Sequence, residues 1–262
     1  MRLVTLEYHD LIIADAPDAS GFPGASAASY KLEEDDFLEH VQVLAGRRGV
    51  GSDVRNALKA PVHGDQPPVI LTFDDGGATA MRIAEHIERR GWRGHFFIAT
   101  SCLGRPEFLS EADLRDLQAR GHVVGSHSET HPLRMAAYPL HQIAEEWRVS
   151  VDRLGTVLGA LPPVASVPGG LFSRDVARLA AEAGIQVLFT SEPSTRVSEI
   201  AGCTVIGRFT VRRWTTAEDA RALVDEWPLA RASQWMSWNA KKVVKAAGGE
   251  AYLRARERIF RR

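Results

Sequence analysis

The sequence predicts an α/β fold, namely a (β/α) barrel that is either incomplete or seven-stranded. Two observations lead to this prediction. Apolar runs alternate with amphipathic helical patterns along the chain, and six or seven such units fit into 262 residues. In addition, clusters of polar residues follow directly after apolar runs. Parallel barrels keep their chemistry at this position, the carboxyl ends of the strands.

The first strand is predicted at residues 2–9, and an irregular stretch rich in Gly, Ser, Ala and Pro follows at 14–29. Loops of this length inside a compact domain are commonly functional or mobile. A helix is predicted at 33–45, where apolar residues share one face. Residues 49–67 contain few apolar side chains, so we expect a surface connection there.

The rest of the chain continues the alternation of strands and helices. The run PVILTF at 68–73 is almost wholly apolar, which is typical of a strand buried on both faces. The helix at 140–158 repeats apolar residues every three or four positions. Ser110 and Asp113 predict a capping box at another helix start. Further strands are predicted at 95–100, 122–127, 163–167, 185–190 and 204–211, and further helices at 78–90, 174–183 and 217–224.

Composition excludes some classes of protein. The formal net charge of −1 offers no global attraction to nucleic acid, so we expect no nucleic-acid partner. Cys102 and Cys203 are far apart, which predicts two free buried thiols and no disulfide. The first ten residues do not resemble a signal peptide and no apolar run reaches about 20 residues, which predicts a cytoplasmic protein.

Two adjacent carboxylates, Asp74 and Asp75, follow the strand at 68–73. Adjacent acids repel each other unless a cation or separate roles stabilise them. A solvated turn that caps a helix is the structural alternative. Two imidazoles, His127 and His131, follow the strand at 122–127, and we expect their spacing of four residues to place both on one side of a helical turn.

The combination is more specific than either pair, because an HxxxH pattern can occur by chance in a chain with nine histidines. Asp75, His127 and His131 would form a three-ligand site that leaves a coordination position for water. Such an open site is typical of a catalytic metal.

These residues also resemble a known family. Thr72–Gly76 reads TFDDG and His127–His131 reads HSETH. Both match motifs of the polysaccharide deacetylases with NodB homology, carbohydrate esterase family 4. The resemblance implies the barrel of these deacetylases, in a divergent branch. It also implies that Asp75, His127 and His131 bind a divalent metal, most commonly Zn²⁺ with Co²⁺, Ni²⁺ or Mn²⁺ as alternatives. Asp74 would be the general base.

The third family motif, Arg-x-Pro-aromatic-Gly, is only partly present, because Ser166–Gly170 reads SVPGG. The backbone N–H of Gly169 can still serve as the oxyanion donor, since this contact needs no side chain. Pro168 is expected beside the substrate. Ser166 replaces the arginine that would orient the base, and we name Arg208, late in the chain, as its substitute.

The family's late histidine, its general acid, has no counterpart in residues 208–213. His9 stands at the end of the first strand and is our candidate for the acid, with a structural histidine that caps its strand as the alternative. Its neighbours Tyr8 and Asp10 are expected to contact the substrate.

The predicted function is removal of an N-acetyl or similar acyl group from an amino sugar, on a cytoplasmic nucleotide- or lipid-linked precursor of a surface polysaccharide. Alternatives are a deformylase or other small-amide hydrolase, and a metal-containing binding protein that has lost turnover. We expect one domain, 1–262, with a helical basic extension at 230–262. Its end, 241–262, carries eight basic and two acidic residues. This pattern indicates either a solvated helix or contact with the inner membrane surface. The sequence predicts no oligomeric state.

Overall fold

The computed structural model describes residues 2–59, 66–225, 227 and 229–240. The strands are β1 Val4–Tyr8, β2 Leu11–Ile12, β3 Leu32–Glu33, β4 Val69–Phe73, β5 Gly94–Ile98, β6 Val123–Ser126, β7 Val164–Ser166, β8 Val187–Phe189, β9 Val197–Ile200, β10 Cys203–Ile206 and β11 Phe209–Thr210. The helices are α1 Ala25–Ala28, α2 Glu34–Leu44, α3 Val54–Lys59, α4 Ala80–Glu88, α5 Glu111–Ala119, α6 Leu140–Leu158, α7 Arg174–Glu182 and α8 Ala217–Val224. Residues 229–240 are also helical.

The main sheet has nine strands in the order β11-β1-β4-β5-β6-β7-β8-β10-β9. All of its neighbouring strands are parallel except β9, which is antiparallel to β10. β10 pairs with β8, whereas β11, which follows it after only Gly207 and Arg208, pairs with β1. One stretch of chain therefore contacts both ends of the parallel series, and the sheet curls back on itself. The predicted (β/α) barrel is confirmed.

An apolar cluster packs the helix α3 against the curled sheet. It contains Ile70, Phe97, Phe189 and Ile206, together with Val54 and Ala57 from α3. The helix α3 thus contributes two buried side chains to the core. The prediction of a surface connection over 49–67 was wrong for this helix, because six residues with two buried positions are too short to show a periodic pattern.

The long segment between β2 and β3 is organised by a buried lysine. The Lys31 ammonium group donates hydrogen bonds to the carbonyl oxygens of Pro17 at 2.6 Å, Ser20 at 2.5 Å and Phe22 at 2.8 Å. A buried ammonium group needs such partners, because desolvation of an unpaired charge is costly. This segment is therefore folded around one internal cation, although it contains only the single short helix α1.

The helical residues 229–240 pack beside β11. The Gln234 side-chain amide donates to the Thr210 carbonyl at 3.1 Å, and the Arg231 guanidinium lies over the Phe209 ring at 5.3 Å. The predicted helical extension is present as far as residue 240, and residues 241–262 lie outside the described part of the chain. Among the described helices, none has both the length and the apolar character that a membrane span requires.

Candidate active site

A cavity of about 870 Å³ opens at the carboxyl ends of the strands. Four groups of residues line it: the strand ends, the segment before β3, the loops after β6 and β7, and the helical residues 229–240. Its walls include Glu7, His9, Phe22, Tyr30, Lys31, Asp74, Asp75, His127, His131, Leu133, Gly169, Arg212, Trp214, Ser233, Gln234, Ser237 and Trp238.

Asp75, His127 and His131 meet in this cavity. The Oδ1 atom of Asp75 lies 3.5 Å from Nε2 of His127 and 3.3 Å from Nε2 of His131. The three potential ligand atoms all lie within 4.8 Å of one another. Asp75 Oδ1 is buried and accepts no hydrogen bond. An oxygen of this kind that faces two imidazole nitrogens fits a divalent cation.

The backbone brings these ligands together through left-handed residues. Asp75, Ser128 and His131 have φ angles of 77°, 64° and 58°, which non-glycine residues adopt only at a cost. The Ser128 hydroxyl accepts a hydrogen bond from the His131 N–H at 3.2 Å. The expectation that His127 and His131 share a helical turn was wrong, because no helix forms there. A serine-stabilised turn brings the imidazoles together instead.

Burial sets the charge of the ligand cluster. Burial raises the pKa of Asp75 to about 7 and lowers the pKa of His127 to about 3. The His127 ring is therefore neutral near pH 7. Its Nδ1 lies 2.6 Å from the Ser166 hydroxyl oxygen and 3.1 Å from the Ser166 carbonyl oxygen, a pairing that leaves Nε2 as the ligand atom. A cation would supply the positive charge that an ionised Asp75 needs.

Asp74 forms a buried ion pair with Arg208. The guanidinium donates from Nη1 to Oδ1 and from Nη2 to Oδ2 of Asp74, both at 2.7 Å. Burial alone would raise the pKa of Asp74, but the positive charge of Arg208 and its hydrogen bonds hold that pKa well below its usual range. Arg208 thus lies against the predicted base, as expected from the sequence.

Ser166 occupies the place of the missing family arginine. Its hydroxyl donates to Asp74 Oδ1 at 3.2 Å, so it also supports the base. Arg208 comes from the break between β10 and β11, and β8 separates β10 from β7 in the sheet. The small serine and the arginine from another strand therefore reach the same carboxylate.

His9 follows β1 and lines the cavity. One of its ring nitrogens, a Glu7 carboxylate oxygen and an Asp74 carboxylate oxygen lie within 4.8 Å of one another. The His9 ring packs on Tyr30 with 4.8 Å between ring centroids, and its Nδ1 is buried with no hydrogen-bond partner. The imidazole thus lies beside Asp74 and inside the cavity.

Gly169 lines the cavity with a φ of 64°. A Cβ atom at this position would lie 2.2 Å from the Leu133 carbonyl oxygen. Both the backbone conformation and this close approach exclude a side chain. This explains why glycine stands where the family motif has an aromatic residue.

The three predicted substrate contacts do not line the cavity. Residues alternate along β1, so Tyr8 points to the outer face, where its ring stacks on Phe73 and its hydroxyl lies 3.2 Å from Nδ1 of His40. The Asp10 carboxylate is buried and accepts hydrogen bonds from the hydroxyls of Ser20 and Thr79. Pro168 is buried beside Gly169 and is absent from the cavity wall. All three are corrected to structural positions.

Several cavity residues were not predicted as functional. The Phe22 ring lies 4.6 Å from the His131 ring, centroid to centroid. Arg212 lies over the Tyr30 ring at 4.3 Å and donates to the Tyr30 hydroxyl. The unusual length of the 14–29 stretch was the only sequence signal for this wall, and it identified no individual residue.

Part of the chain matches a known protein family. Residues 62–188, just under half of the chain, match the family model described as polysaccharide deacetylase. No curated protein sequence matches significantly.

Three solved structures with a similar fold all have low sequence identity. The deacetylase PplD of Streptococcus pyogenes, in complex with acetate, has 16% identity and a TM-score of 0.68, covering 86% of this chain and 98% of that chain. A polysaccharide deacetylase from Bacillus cereus has 17% identity and a TM-score of 0.70, covering 86% of this chain and 69% of that chain. IcaB from Ammonifex degensii has 20% identity and a TM-score of 0.64, covering 89% of this chain and 97% of that chain.

The family match supports deacetylase activity, and the neighbours share the curled barrel. The resemblance inferred from the TFDDG and HSETH motifs is therefore confirmed for residues 62–188, which match the polysaccharide deacetylase family model and contain both motifs.

Proposed function

We propose that the protein uses a divalent metal to hydrolyse the N-acetyl group, or a similar acyl group, of an amino sugar. The substrate would be a cytoplasmic nucleotide- or lipid-linked precursor of a surface polysaccharide. One observation carries the proposal. An ionised carboxylate, Asp74, is held by Arg208 directly beside the cluster of Asp75, His127 and His131.

The ligand cluster fits a metal by its donor set. Asp75 contributes a buried carboxylate oxygen without a hydrogen bond, and the two histidines contribute imidazole nitrogens. Zn²⁺ favours this combination, and Co²⁺, Ni²⁺ and Mn²⁺ accept it. When bound, such an ion would polarise the acyl carbonyl and lower the pKa of a water molecule.

Asp74 would accept the proton of the attacking water. Its Oδ2 lies 3.7 Å from Nε2 of His127, so the base stands next to the ligand cluster. The two hydrogen bonds from Arg208 fix the plane of the carboxylate and keep it ionised. A protein that only bound a metal would have no use for this second, separately oriented carboxylate.

The remaining roles go to Gly169 and His9. The Gly169 backbone amide would donate to the developing oxyanion, a role supported by its place in the cavity wall. His9 would protonate the departing amine, which is supported by its position in the cavity beside Asp74 and by its buried Nδ1.

The cavity also bears on the class of substrate. A volume of about 870 Å³ exceeds the needs of an acetyl group and one sugar ring. The cavity wall contains Tyr30, Trp214 and Trp238 together with Arg212. Aromatic faces suit a sugar or base ring, and the arginine suits a phosphate, as in a linked precursor.

The test measures metal content and acyl release together. We expect about one divalent ion per chain in the parent and a loss of that ion in Asp75→Ala. Asp74→Asn should retain the metal and lose acetate release from N-acetylated nucleotide sugars and lipid-linked sugars. Formate release from the matching N-formyl sugars distinguishes a deformylase. Full activity in Asp74→Asn would contradict the proposed base.

A further inference from the structure

Arg212 presents a positive charge to the cavity. Its side chain lines the cavity wall, and it forms no ion pair with a carboxylate in the described part of the chain. The neighbouring Arg213 differs, because it pairs with Glu33 at 2.6 Å and does not line the cavity. The other basic side chain of the wall, Lys31, donates its hydrogen bonds to three carbonyl oxygens. Arg212 is therefore the cation of this wall that can accept an anionic ligand.

Two aromatic rings hold the Arg212 guanidinium. Its central carbon lies 4.3 Å from the centroid of the Tyr30 ring and 5.6 Å from that of the Trp214 ring. Rings that pack on a guanidinium contact its flat face and leave the N–H groups of its edge to donate hydrogen bonds. One of these groups, on Nη2, donates to the Tyr30 hydroxyl oxygen at 3.0 Å. The guanidinium donates to no other described residue, so its remaining N–H groups can bind a ligand.

The Tyr30 hydroxyl is a second donor beside the guanidinium. Its oxygen accepts the hydrogen bond from Arg212, and its own hydrogen is donated to no described residue. Both side chains line the cavity. A guanidinium and a hydroxyl whose N and O atoms lie 3.0 Å apart can donate to two oxygens of one bound anion.

A short turn fixes the backbone of this group. The Thr215 N–H donates to the Arg212 carbonyl at 2.8 Å, and the Arg212 N–H donates to the Thr215 hydroxyl at 2.9 Å. The Thr215 carbonyl oxygen lies 3.0 Å from Nε2 of the buried His40, which connects the turn to α2. The two donors are thus held in place before a ligand arrives, and this lowers the ordering cost of binding.

The Tyr30 ring also connects these donors to the reaction centre. It packs on the His9 ring with 4.8 Å between ring centroids, and His9 lies beside Asp74. Arg212 and His9 therefore contact the same tyrosine ring. An anion at Arg212 and an acyl group beside His9 can belong to one substrate molecule.

We propose that Arg212 and Tyr30 form a phosphate subsite, in which the guanidinium edge and the tyrosine hydroxyl donate to the phosphate oxygens. Guanidinium groups match phosphate oxygens in this way. An amino sugar that carries a phosphate, on a nucleotide or on a lipid, then binds in preference to a neutral sugar chain. This substrate assignment rests on the proposed function, whereas the binding of phosphate does not.

The experiment compares the binding of a phosphorylated sugar and a neutral sugar by calorimetric titration. Glucose 1-phosphate and methyl glucoside serve as probes, because neither has an acyl group that the protein could remove. The parent should bind glucose 1-phosphate about tenfold more tightly or better, and Arg212→Gln should abolish this preference. Arg212→Lys, which keeps the charge, should retain part of it. Tyr30→Phe keeps the ring and should weaken phosphate binding about fivefold.

Two control variants locate the bound phosphate. Arg213→Gln should bind glucose 1-phosphate as the parent does, because Arg213 does not line the cavity. Asp75→Ala should also retain phosphate binding, since Asp75 is not part of the subsite. A loss in Asp75→Ala as large as that in Arg212→Gln would place the phosphate at the ligand cluster and overturn the proposal. Equal affinity of the parent for the two sugars would overturn it as well.

A second pair of probes distinguishes the two carriers. Uridine diphosphate represents a nucleotide carrier and farnesyl diphosphate a lipid carrier. The probe that loses affinity in Arg212→Gln, and keeps it in Arg213→Gln, identifies the carrier that the subsite accepts. If the affinity of both probes is independent of Arg212, the phosphate subsite is refuted.

The phosphate subsite and the proposed function can fail separately. If phosphate binding depends on Arg212 but no amino sugar releases acetate, the proposed function fails and the subsite stands. If neutral and phosphorylated amino sugars are deacetylated with the same kcat/KM, the subsite fails and the proposed function stands. If both hold, Arg212→Gln should raise KM for the phosphorylated substrate and leave kcat unchanged, because the phosphate takes no part in the reaction.

Discussion

Replacing Arg208 with methionine tests how the base is kept ionised. Arg208 is fully buried and Asp74 is only 3% exposed, so the variant leaves an unpaired carboxylate in the barrel interior. Removing one partner of such a pair costs about 3–5 kcal/mol of the free energy of unfolding. For a chain of this size, this corresponds to a fall in melting temperature of roughly 6–20 °C. Differential scanning calorimetry measures the fall.

The sign of the pH effect follows from the pKa of Asp74. In the parent, the lowered pKa of Asp74 stabilises the fold at pH values above the pKa that this residue has in the unfolded chain. This contribution to the free energy of unfolding is lost as the pH falls. Without the guanidinium, burial raises the pKa of Asp74, so the stability deficit of the variant should shrink at acid pH. The acid limb of kcat/KM should also move to higher pH, because only the ionised carboxylate accepts a proton.

Two further variants separate charge from packing. Arg208→Lys keeps the charge without the bidentate geometry, so we expect its melting temperature and the acid limb of its kcat/KM profile to lie between those of the parent and Arg208→Met. Arg47→Met is the matched control, because the Arg47 side chain is 6% exposed and pairs with Asp225 at 3.5 Å, away from the cavity. It should lose stability and keep the parent's pH–rate profile. A superimposable profile in Arg208→Met would refute the role assigned to the ion pair.

Three other outcomes are expected. His95 is buried and its pKa is lowered to about 4. Protonation of His95 in the unfolded chain should therefore reduce the free energy of unfolding by up to about 3 kcal/mol as the pH falls from about 6.5 to about 4. Urea unfolding of His95→Gln should lack this dependence, and an unchanged pH dependence would contradict the assignment. Lys31→Met should weaken metal binding about tenfold in calorimetric titration, because it removes the hydrogen bond to the carbonyl of Phe22, whose ring packs on His131. The control Lys59→Met, at an exposed position, should bind metal as the parent does. Gly77→Ala places a Cβ atom 2.2 Å from both carboxylate oxygens of Asp10 and should cost about 1–3 kcal/mol in urea unfolding; parental stability would show that the Asp10 side chain can move aside.

Local patterns predicted most of the larger elements. The helix at 140–158 agrees with α6 residue for residue, and the capping box of Ser110 and Asp113 forms as expected. These features depend on neighbours in the sequence. The two-residue strands β2 and β3 depend instead on pairing with each other across the long segment that Lys31 organises. No local pattern contains that information.

The same distinction applies to the candidate site. Asp75, His127 and His131 were predictable because each follows a buried strand, and strand ends meet at one edge. Tyr8 and Asp10 were misassigned because they flank His9 in the chain, although alternation along a strand turns adjacent residues to opposite faces. The contact of Phe22 with His131 joins residues over a hundred positions apart, and a single sequence gives no sign of it.

The position of Arg208 also has a consequence for the order of assembly. Arg208 lies in the two-residue break between β10 and β11, the stretch that contacts both β8 and β1. During synthesis the ribosome delivers Asp74, Asp75, His127 and His131 before this arginine emerges. A nascent chain can therefore gather the three candidate ligands while the carboxylate of Asp74 still lacks its counterion. Closure of the barrel by its last parallel segment then completes the Asp74–Arg208 ion pair, so Asp74 gains its counterion only when the fold is finished.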